Sequence, residues 1–470
     1  MSFQVCLGQL IELLAATPLH LSEQELRPLA GISKSTPITR ITTDSRSLQA
    51  GDLFIALRGE KFDGHGFVER AMQQGAIAAI TDYPMAGVGL PMLVVKDTLE
   101  AYQAIAHWWR NQFNHPVIAV TGSVGKTTTK ELIASVLATQ GKVLKTQANY
   151  NNEIGVPKTL LDLADQDYAV VEMGMRAAGE IGLLARIARP DIAVITNVGT
   201  AHIGRLGSEQ AIANAKCELL EELSEAGIAI LNHDNLRLIA TAAKVWQGKV
   251  LTYGLEGGDL QGKLLDATTL KVEGQVLPMP LPGRHNALNY LAAIAVAKVL
   301  GIDWTVLTAG VDVRLPQGRA RRYELPNDVL LLDETYNAGL ESMVAALHLL
   351  AETPGTRHIA VLGTMKELGE RSPEFHEQVG TVARQLNIDR LLILADEAES
   401  VALAAGAAPS VVSERFTSHA DVVERLVQLV QPGDRLLFKA SRAVGLDQVL
   451  EQFRARLEQE KIPDGKPGIK

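Results

Sequence analysis

The chain has 470 residues, of which 47% are hydrophobic and 21% are charged, a composition ordinary for a soluble globular enzyme of two or three domains. The formal net charge of −9 argues against a general nucleic-acid binder, which would more often be basic. The two cysteines, Cys6 and Cys217, argue against a disulfide scaffold and indicate a reducing compartment such as the cytoplasm. Met1–Thr17 lacks the basic start of a signal peptide, and no uncharged apolar run reaches the roughly 18 residues of a membrane span.

Three blocks of predicted α/β structure follow one another along the chain. In the first, residues 1–96, short strands are predicted in DLFIAL, IAAITD and MLVVKD and a helix in FVERAMQQGA. The second, residues 97–314, opens with the amphipathic helix LEAYQAIAHWWRNQ. Helical patterns then separate the apolar runs VIAVTG, YAVVEMG, DIAVITNVG and GIAILN, which predicts a parallel sheet.

The third block, residues 315–470, alternates helical patterns with the apolar runs VLLLDE, HIAVLG, RLLILAD and RLLFKAS. This pattern predicts a second, doubly wound α/β sheet, followed by a loose tail, KIPDGKPGIK. Ligands of such sheets lie at the carboxyl ends of the strands. The polar residues that directly follow the apolar runs are therefore the candidates for a functional site.

The stretch TGSVGKTTTKE has the context of a phosphate-binding loop, between a predicted strand and a predicted helix. Gly122 and Gly125 have two residues between them, where the usual phosphate loop has four. Lys126 could reach the terminal phosphates of a nucleotide, and Thr127 could offer its hydroxyl to Mg²⁺. The alternative is an ordinary strand–turn–helix junction with a glycine-rich cap.

Two further strand ends carry polar side chains, Glu172 in one and Asn197 with His202 in the other. A carboxylate and an imidazole beside a phosphate loop could complete a metal shell. Taken singly, Glu172 is equally well a solvated loop residue, and His202 is more often a structural hydrogen-bonding residue. Helical periodicity around Lys216 favours a surface lysine.

A pair of asparagines and one arginine lie near predicted domain boundaries. Asn286 and Asn289 are three residues apart on one face of a helix start, where one could cap the helix and the other suggests a ligand. Arg319 could pair with a phosphate from a neighbouring domain, or it could belong to a solvated basic linker.

In chain order the sequence contains TGSVGKTTTKE, NYNNEIGVPKTLL, VVEMG, NVGTAHIG, AKCELL, LPGRHNALN and GRARRYEL. This series resembles the Mur ligase family over nearly the whole chain, including the first block. Members of that family form amide bonds with ATP and build the peptidoglycan precursor, and their phosphate loop is of the short type. The resemblance implies three domains: one for the UDP end of the substrate, a central ATPase, and a Rossmann-like C-terminal domain that binds the incoming dipeptide.

The resemblance also implies roles for individual residues. For ATP it implies Gly122, Ser123, Gly125, Lys126, Thr127, Thr128, Asn286, Asn289, Arg319, Asp333 and Glu334. For Mg²⁺ it implies Thr127, Glu172, His202 and Lys216, the last as a carbamate. The catalytic set is then Lys126, Glu172, His202 and Lys216. For the substrates it implies Asp44, Ser45 and Arg46 at the uridine end, Asn151 and Asn152, and Asn337, Lys439, Ser441 and Arg442.

The third block contains LLLDETYNAGLESM, VLGTMKELGERSPEFHEQVG and FKASRAVGLDQV. These are most similar to the family member that joins D-alanyl-D-alanine to UDP-N-acetylmuramoyl-tripeptide, and a monomer is expected. Glu334, the segment Gly339–Leu340 and Ala440 depart from the family pattern of Asp, Asn-Pro and Gly. The alternatives are the ligase that adds the third residue, a folylpolyglutamate or cyanophycin-type synthetase, and a nucleotide-binding switch without ligase chemistry.

Overall fold

A computed structural model describes residues 5–19, 34–59 and 62–459 of the chain. The predicted fold class is confirmed, because three successive α/β units each have their own main sheet, of five, nine and six strands. The predicted loose tail, KIPDGKPGIK, lies outside the described residues.

The first unit has a five-stranded sheet in the order β2-β9-β8-β5-β4, with only β2 antiparallel to its neighbour. Antiparallel pairs β1–β3 and β6–β7 lie beside it. Its elements are β1 (Val5–Cys6), α1 (Leu7–Leu14), β2 (Thr17–Leu19), β3 (Pro37–Ile38), β4 (Ile41–Thr42), β5 (Leu53–Ile55), β6 (Arg58–Gly59), β7 (Phe62–Asp63), a 3₁₀ helix (Gly64–Phe67), α2 (Val68–Gln73), β8 (Ala78–Thr81) and β9 (Met92–Val94).

The central unit has a nine-stranded sheet in the order β11-β12-β10-β13-β14-β15-β16-β17-β18. Its elements are α3 (Thr98–Arg110), β10 (Val117–Thr121), α4 (Lys126–Leu137), β11 (Val143–Lys145), α5 (Gly155–Leu161), β12 (Tyr168–Glu172), α6 (Glu180–Ala188), β13 (Ile192–Ile195), α7 (Ile203–Leu206), α8 (Glu209–Glu221), β14 (Ile228–Asn232), α9 (Leu236–Val245), β15 (Lys249–Gly254), β16 (Leu260–Asp266), β17 (Thr269–Val272), β18 (Gln275–Pro278), α10 (Arg284–Val299) and a 3₁₀ helix (Trp304–Ala309). Asp97 begins α3 by accepting hydrogen bonds from the Leu99 and Glu100 amides, as the sequence predicts for a helix start there.

The centre of this sheet positions the candidate site. Strand β10 pairs in parallel with β12 on one side and with β13 on the other. In this register Val120 is opposite Glu172 and Thr121 is opposite Ile195, so the three strands end at the same edge. The chain crosses from one side of β10 to the other at this point, and such a switch point leaves a crevice for a ligand.

One edge of the central sheet differs from the purely parallel sheet that the sequence predicts. Strands β16, β17 and β18 form an antiparallel meander, added to the parallel strands through β15. In β16 and β17 buried and exposed residues alternate, since one face packs on the core beneath α10 while the other meets solvent.

The third unit is doubly wound, as predicted, with the strand order β19-β20-β24-β21-β22-β23 and only β19 antiparallel. Its elements are β19 (Arg321–Leu325), β20 (Val329–Asp333), α11 (Leu340–Glu352), β21 (Arg357–Gly363), a 3₁₀ helix (Gly369–Arg371), α12 (Ser372–Gln385), β22 (Arg390–Leu394), α13 (Glu397–Ala407), β23 (Val412–Phe416), α14 (His419–Leu429), β24 (Asp434–Lys439), a 3₁₀ helix (Arg442–Val444) and α15 (Leu446–Gln459). Among the described residues, no helix is long and apolar enough to cross a membrane.

Candidate functional site

The loop between β10 and α4 requires glycine at two positions. A Cβ atom on Gly122 would lie 1.9 Å from Thr196 Oγ1, and one on Gly125 would lie 2.5 Å from Asn289 Oδ1. Gly125 also has a φ of +84°, in the left-handed region that favours glycine. The two-residue spacing between Gly122 and Gly125 therefore matches the structure, because the backbone turns tightly against the end of β13 and against α10 at these two positions.

The strand end after β13 holds this loop from below. The Val124 amide donates to Asn197 Oδ1 at 3.0 Å, and the Asn197 side-chain amide donates back to the Val124 carbonyl at 2.9 Å. The Ser123 hydroxyl accepts a hydrogen bond from the Gly199 amide at 2.9 Å. These bonds leave the start of α4, with Lys126, as the open side where an anion would meet a helix N-terminus.

Lys126 folds back over the loop. Its Nζ donates to the Gly122 carbonyl at 2.7 Å and to the Ser123 carbonyl at 3.3 Å. Burial lowers the pKa of Lys126 below its ordinary value, while the carboxylate of Glu172 opposes that shift and the guanidinium of Arg319 adds to it. The structure thus brings charged side chains from two distant parts of the chain within electrostatic reach of the Lys126 ammonium.

Two threonines follow Lys126 in the first turn of α4. Thr127 is buried, and its hydroxyl forms no hydrogen bond with any residue that the structure describes. Thr128 is partly exposed on the neighbouring face of the helix. A hydroxyl without a protein partner, next to the phosphate loop, is a suitable oxygen ligand for a nucleotide-bound cation.

Glu172 ends β12 with one oxygen bonded and one free. Oε1 accepts a hydrogen bond from the Asn151 side-chain amide at 2.8 Å, whereas Oε2 is buried and has no hydrogen-bond partner in the described structure. The reading of Glu172 as a solvated loop residue is wrong, because the residue is only 2% exposed. The Lys130 ammonium lies 3.8 Å from Oε2, beyond hydrogen-bond distance, so this buried oxygen can still accept a ligand, and this supports a ligand role.

Lys216, on α8, is 1% exposed, so the surface lysine favoured by helical periodicity is wrong. Its Nζ makes no hydrogen bond or ion pair with the residues that the structure describes. Burial lowers the pKa of Lys216 well below its ordinary value, and the nearby Lys126 ammonium lowers it further. A neutral amine is the form that reacts with carbon dioxide to give a carbamate, so the environment suits that modification.

His202 lies in the loop before α7 and is partly exposed. Its Nδ1 is 2.5 Å from Glu367 Oε2, a carboxylate of the third unit. Burial lowers the pKa of His202, and Glu367 opposes the shift while Lys126 and Lys216 add to it. The imidazole therefore faces the same group of cations as the phosphate loop.

His, Cys, Asp and Glu side chains alone do not form a Mg²⁺ site beside the phosphate loop, so other donors are needed. Within residues 5–19, 34–59 and 62–459, no three His, Cys, Asp or Glu side chains form a cluster that could hold a metal ion. Mg²⁺ however retains several waters and is often held by one or two carboxylates together with substrate phosphates. The free Glu172 oxygen, the Thr127 hydroxyl and a carbamate on Lys216 would be such donors.

The asparagine pair on α10 serves mainly to fix the loop. Asn289 Oδ1 accepts from the Thr129 hydroxyl at 3.1 Å, and its amide donates to Asn286 Oδ1 at 3.3 Å. Asn286 in turn donates to the Pro282 carbonyl at 2.9 Å. Neither side chain caps α10, which begins at Gly283 without a side-chain cap. Asn286 also lines a narrow cleft with Glu334 of the third unit.

Arg319 approaches the cleft from the third unit, so it is not a solvated linker residue. Its guanidinium stacks over the Tyr336 ring at 3.9 Å, and its buried Nε has no hydrogen-bond partner in the described structure. Burial raises the pKa of the neighbouring Glu334, and Lys439 and Arg319 oppose that shift. Asp333, by contrast, is occupied locally, accepting from the Thr335 amide at 3.1 Å and hydroxyl at 2.7 Å.

The late segment after β24 packs against the loop after β20. Buried Lys439 donates to the Asn337 carbonyl at 3.0 Å, and the Ser441 hydroxyl accepts from the Lys366 amide at 2.9 Å. The side chain of Asn337 is exposed at the loop surface. Arg442 points away and pairs with Asp447 at 2.7 Å. Of the late candidates, Arg442 is therefore the least engaged with the rest of the site.

The first-unit loop contains the three candidates for the uridine end. Asp44 accepts from the Arg46 amide and Nε, each at 2.9 Å, and this pairing lowers the pKa of Asp44 to about 2. Ser45 is buried and Arg46 is largely exposed. The Lys158 ammonium of α5 also lowers the pKa of Asp44, so this loop lies within electrostatic reach of α5. Asn152, in the loop before α5, accepts a hydrogen bond from the Gly155 amide at 2.9 Å.

The comparisons with known proteins agree along the whole described chain. Residues 37–109 match the Mur ligase catalytic domain, residues 120–297 the Mur ligase middle domain, and residues 318–442 the Mur ligase glutamate ligase domain. The chain is 57% identical to a UDP-N-acetylmuramoyl-tripeptide–D-alanyl-D-alanine ligase of Synechocystis, over 92% of this chain and 96% of that protein. The chain belongs to the Mur ligase family.

Two solved Mur ligase structures resemble the whole chain. MurF from Acinetobacter baumannii is 30% identical with a TM-score of 0.86, covering 96% of this chain and 99% of that one. The MurF ligase of Thermotoga maritima, in complex with ADP, is 31% identical with a TM-score of 0.80, covering 90% and 98%. The arrangement of three sheets around one cleft is thus shared with Mur ligases of known structure.

Three charged residues of this Mur ligase were not singled out by the sequence. Lys130 is fully buried on α4, one turn after Lys126, and its Nζ lies 3.0 Å from Glu131 and 3.8 Å from Glu172. Glu341 accepts from the Thr200 amide at 2.7 Å, and Glu367 contacts His202. The four-residue spacing of the two lysines was a usable signal, whereas the two glutamates meet their partners only across domains.

Proposed function

We propose that this protein uses ATP to join D-alanyl-D-alanine to UDP-N-acetylmuramoyl-tripeptide, giving the pentapeptide precursor of peptidoglycan. The 57% identity to a ligase of that name, over 96% of that protein, carries the choice of substrates. The geometry supports the reaction class, because a phosphate loop and a buried carboxylate meet at one sheet edge and the buried Lys216 lies within electrostatic reach of Lys126.

The reaction needs activation because a carboxylate has no good leaving group. Phosphoryl transfer from ATP to the terminal carboxylate of the tripeptide forms an acyl phosphate and releases ADP. The amine of D-alanyl-D-alanine, after losing a proton, then attacks the carbonyl carbon. The carbon–oxygen bond to phosphate breaks, and the amide and inorganic phosphate leave.

The chain's own residues have distinct parts in these steps. Lys126 and the amides at the start of α4 bind the transferring phosphoryl group and offset its growing charge. Arg319, with its buried Nε unpartnered, approaches from the third unit and pairs with phosphate oxygens when the cleft closes. Asn286 and Glu334, which line one cleft, border the remainder of the nucleotide, and Asp333 lies next to Glu334 in the chain.

Mg²⁺ would be held by Thr127, Glu172, His202 and a carbamate on Lys216. The loop around the phosphates would be supported by Ser123, Thr128 and Asn289. The bound ion neutralises phosphate charge and orients the transferring group. Asn151 holds the Glu172 carboxylate through its amide, so its place is beside the metal-binding oxygen.

Substrate contacts are assigned to the two flanking units. The uridine end is assigned to Asp44, Ser45 and Arg46, together with Asn152 in the loop before α5. The incoming dipeptide is assigned to Asn337, Lys439 and Ser441, and Arg442 would join them only on leaving its ion pair with Asp447. We divide the chain into a UDP-substrate domain (1–96), an ATP-binding domain (97–314) and a dipeptide-binding domain (315–470), acting as a monomer in the cytoplasm.

The test is phosphate release from ATP and Mg²⁺ with UDP-N-acetylmuramoyl-tripeptide, with and without D-alanyl-D-alanine. We expect release to require the dipeptide and a pentapeptide product to appear by mass spectrometry. If release instead requires a single amino acid and a shorter precursor, the ligase class stands and the substrate is wrong. Binding of ATP with no substrate-stimulated release would leave a nucleotide-binding switch.

A further inference from the structure

The contact between His202 and Glu367 joins two units that bear different substrates. His202 follows β13 in the central unit, and Glu367 follows β21 in the third, 165 residues later. The Nδ1–Oε2 distance is 2.5 Å. A carboxylate can only accept a hydrogen bond here, so Nδ1 must carry the proton that it donates.

The loop that carries Glu367 is fixed against the central unit. The Glu367 backbone carbonyl accepts a hydrogen bond from the Gly204 amide at 3.1 Å, and the second carboxylate oxygen, Oε1, lies 3.5 Å from the Arg205 guanidinium. A Cβ on Gly204 would lie 2.9 Å from that carbonyl, so only glycine lets the two loops come this close. The backbone that carries the carboxylate is therefore held beside the imidazole.

Both partners adopt an uncommon backbone conformation. His202 has a φ of +67° and Glu367 a φ of +66°, in the left-handed region that non-glycine residues rarely occupy. Such conformations persist only where the surroundings determine them strongly, and they concentrate at functional sites. Two facing residues of this kind indicate that the geometry of the pair is itself specified.

We propose that Glu367 is a positioning residue for the ligation: it fixes His202 as the Nδ1–H tautomer, which turns Nε2, with its free electron pair, toward the divalent cation. Because Glu367 belongs to the third unit, His202 is oriented only when that unit is docked on the central one. The metal site is then completed by docking of the dipeptide-binding domain. This inference rests on the proposed function of His202 as a metal ligand.

A second carboxylate of the same interface provides a matched control. Glu341 accepts from the Thr200 amide at 2.7 Å and from the Thr200 hydroxyl at 3.2 Å, so it grips the same loop two residues before His202. Glu341 has no hydrogen bond to the imidazole in the described structure. A change at Glu341 therefore weakens the interface without removing the partner of Nδ1.

The experiment compares full-length wild type with Glu367→Ala, Glu367→Gln and Glu341→Gln. Nitrogen-15 NMR of labelled histidines, with His202 assigned from the lost signal in His202→Asn, reports the tautomer. Binding of Mn²⁺ in saturating ADP, followed by electron paramagnetic resonance, reports the metal site. Circular dichroism of each variant establishes that it is folded.

We expect Nδ1–H in the wild type and in Glu341→Gln, and a mixture of tautomers in Glu367→Ala. Mn²⁺ affinity should fall on the order of 10-fold or more in Glu367→Ala, as for other outer partners of metal-binding histidines, and should change less than about 2-fold in Glu341→Gln. Glu367→Gln keeps an oxygen acceptor, so its Mn²⁺ affinity should lie between those of Glu367→Ala and Glu341→Gln. This variant tests the proposal even if Glu367→Ala does not fold.

Two results would overturn the proposal. One is an unchanged tautomer in Glu367→Ala, and the other is an equal loss of Mn²⁺ affinity in Glu341→Gln, which would mean that interface docking alone matters. The His202→Asn variant separates this failure from that of the proposed function. If His202→Asn binds Mn²⁺ as tightly as the wild type, His202 is not a ligand, whatever its tautomer.

Discussion

Replacing Lys130 by methionine removes the buried cation beneath the candidate metal site. Lys130 Nζ donates to the Thr146 carbonyl at 2.7 Å and lies 3.0 Å from Glu131 Oε1 and 3.8 Å from Glu172 Oε2. All four of these residues are buried. Methionine fills a similar volume, so the change removes charge and hydrogen bonding with little effect on packing.

The expected loss follows from the uncompensated charges left behind. Glu131 keeps Lys145 as a partner, but Glu172 has no other cation within ion-pair distance among the described residues. Removing one partner of a buried ion pair lowers the free energy of unfolding by about 3–5 kcal/mol. For the proposed ATP-binding domain, this corresponds to a fall of roughly 6–20 °C in melting temperature.

The assay is urea unfolding followed by tryptophan fluorescence. All four tryptophans of the chain lie in the proposed ATP-binding domain, at positions 108, 109, 246 and 304, so the signal reports that domain. The control is Lys142→Met, the same substitution at a lysine that pairs with Asp165 at 2.5 Å and is 68% exposed. Lys142→Met should lower the free energy of unfolding by only about 0–1 kcal/mol.

The urea midpoints of Lys130→Met and Lys142→Met test whether the buried lysine stabilises the domain. We expect Lys130→Met to lower the urea midpoint far more than Lys142→Met, with the slope of the transition unchanged. Equal midpoints for the two variants would refute the reasoning, because they would mean that the buried lysine neutralises nothing of consequence.

Three further predictions concern the loop and the cleft. Lys126→Ala should abolish phosphate release while circular dichroism stays that of the wild type, and retained turnover would count against the phosphate-loop assignment. Gly125→Ala should weaken binding of a fluorescent ATP analogue at least about 10-fold through strain and contact with Asn289, whereas Gly179→Ala, with a similar φ of +87° and nothing within 4 Å, should not. His285 is neutral when folded, because burial and, to a lesser extent, Lys439 lower its pKa to about 4. The unfolded chain binds more protons between pH 6.5 and 4, so stability should decrease as the pH is lowered from 6.5 to 4, and His285→Gln should flatten the slope of urea midpoint against pH.

Residues that act through local backbone could be predicted from the sequence. The phosphate loop and Glu172 follow apolar runs directly, and parallel pairing then brings such strand ends to one edge. The helix start at Asp97 is equally local, because the capping side chain and the amides it binds are neighbours in the chain. In these cases, short-range pattern and sheet geometry determine the position.

Residues whose surroundings come from elsewhere could not be predicted from pattern. Lys216 lies on a helix whose periodicity does not reveal that the residue is buried, within electrostatic reach of Lys126. Glu367 meets His202 only because two domains dock. The antiparallel meander of β16 to β18 was not predicted, because short alternating segments give a weaker sequence signal than the buried apolar runs.

The most direct test of the central claim uses UDP-N-acetylmuramoyl-tripeptide labelled with ¹⁸O in its terminal carboxylate. The protein is incubated with this substrate, ATP, Mg²⁺ and D-alanyl-D-alanine, and the released phosphate and the peptide product are analysed by mass spectrometry. An acyl phosphate requires one labelled oxygen to appear in each phosphate as the pentapeptide forms. Pentapeptide formed with unlabelled phosphate would contradict activation of the carboxylate by ATP.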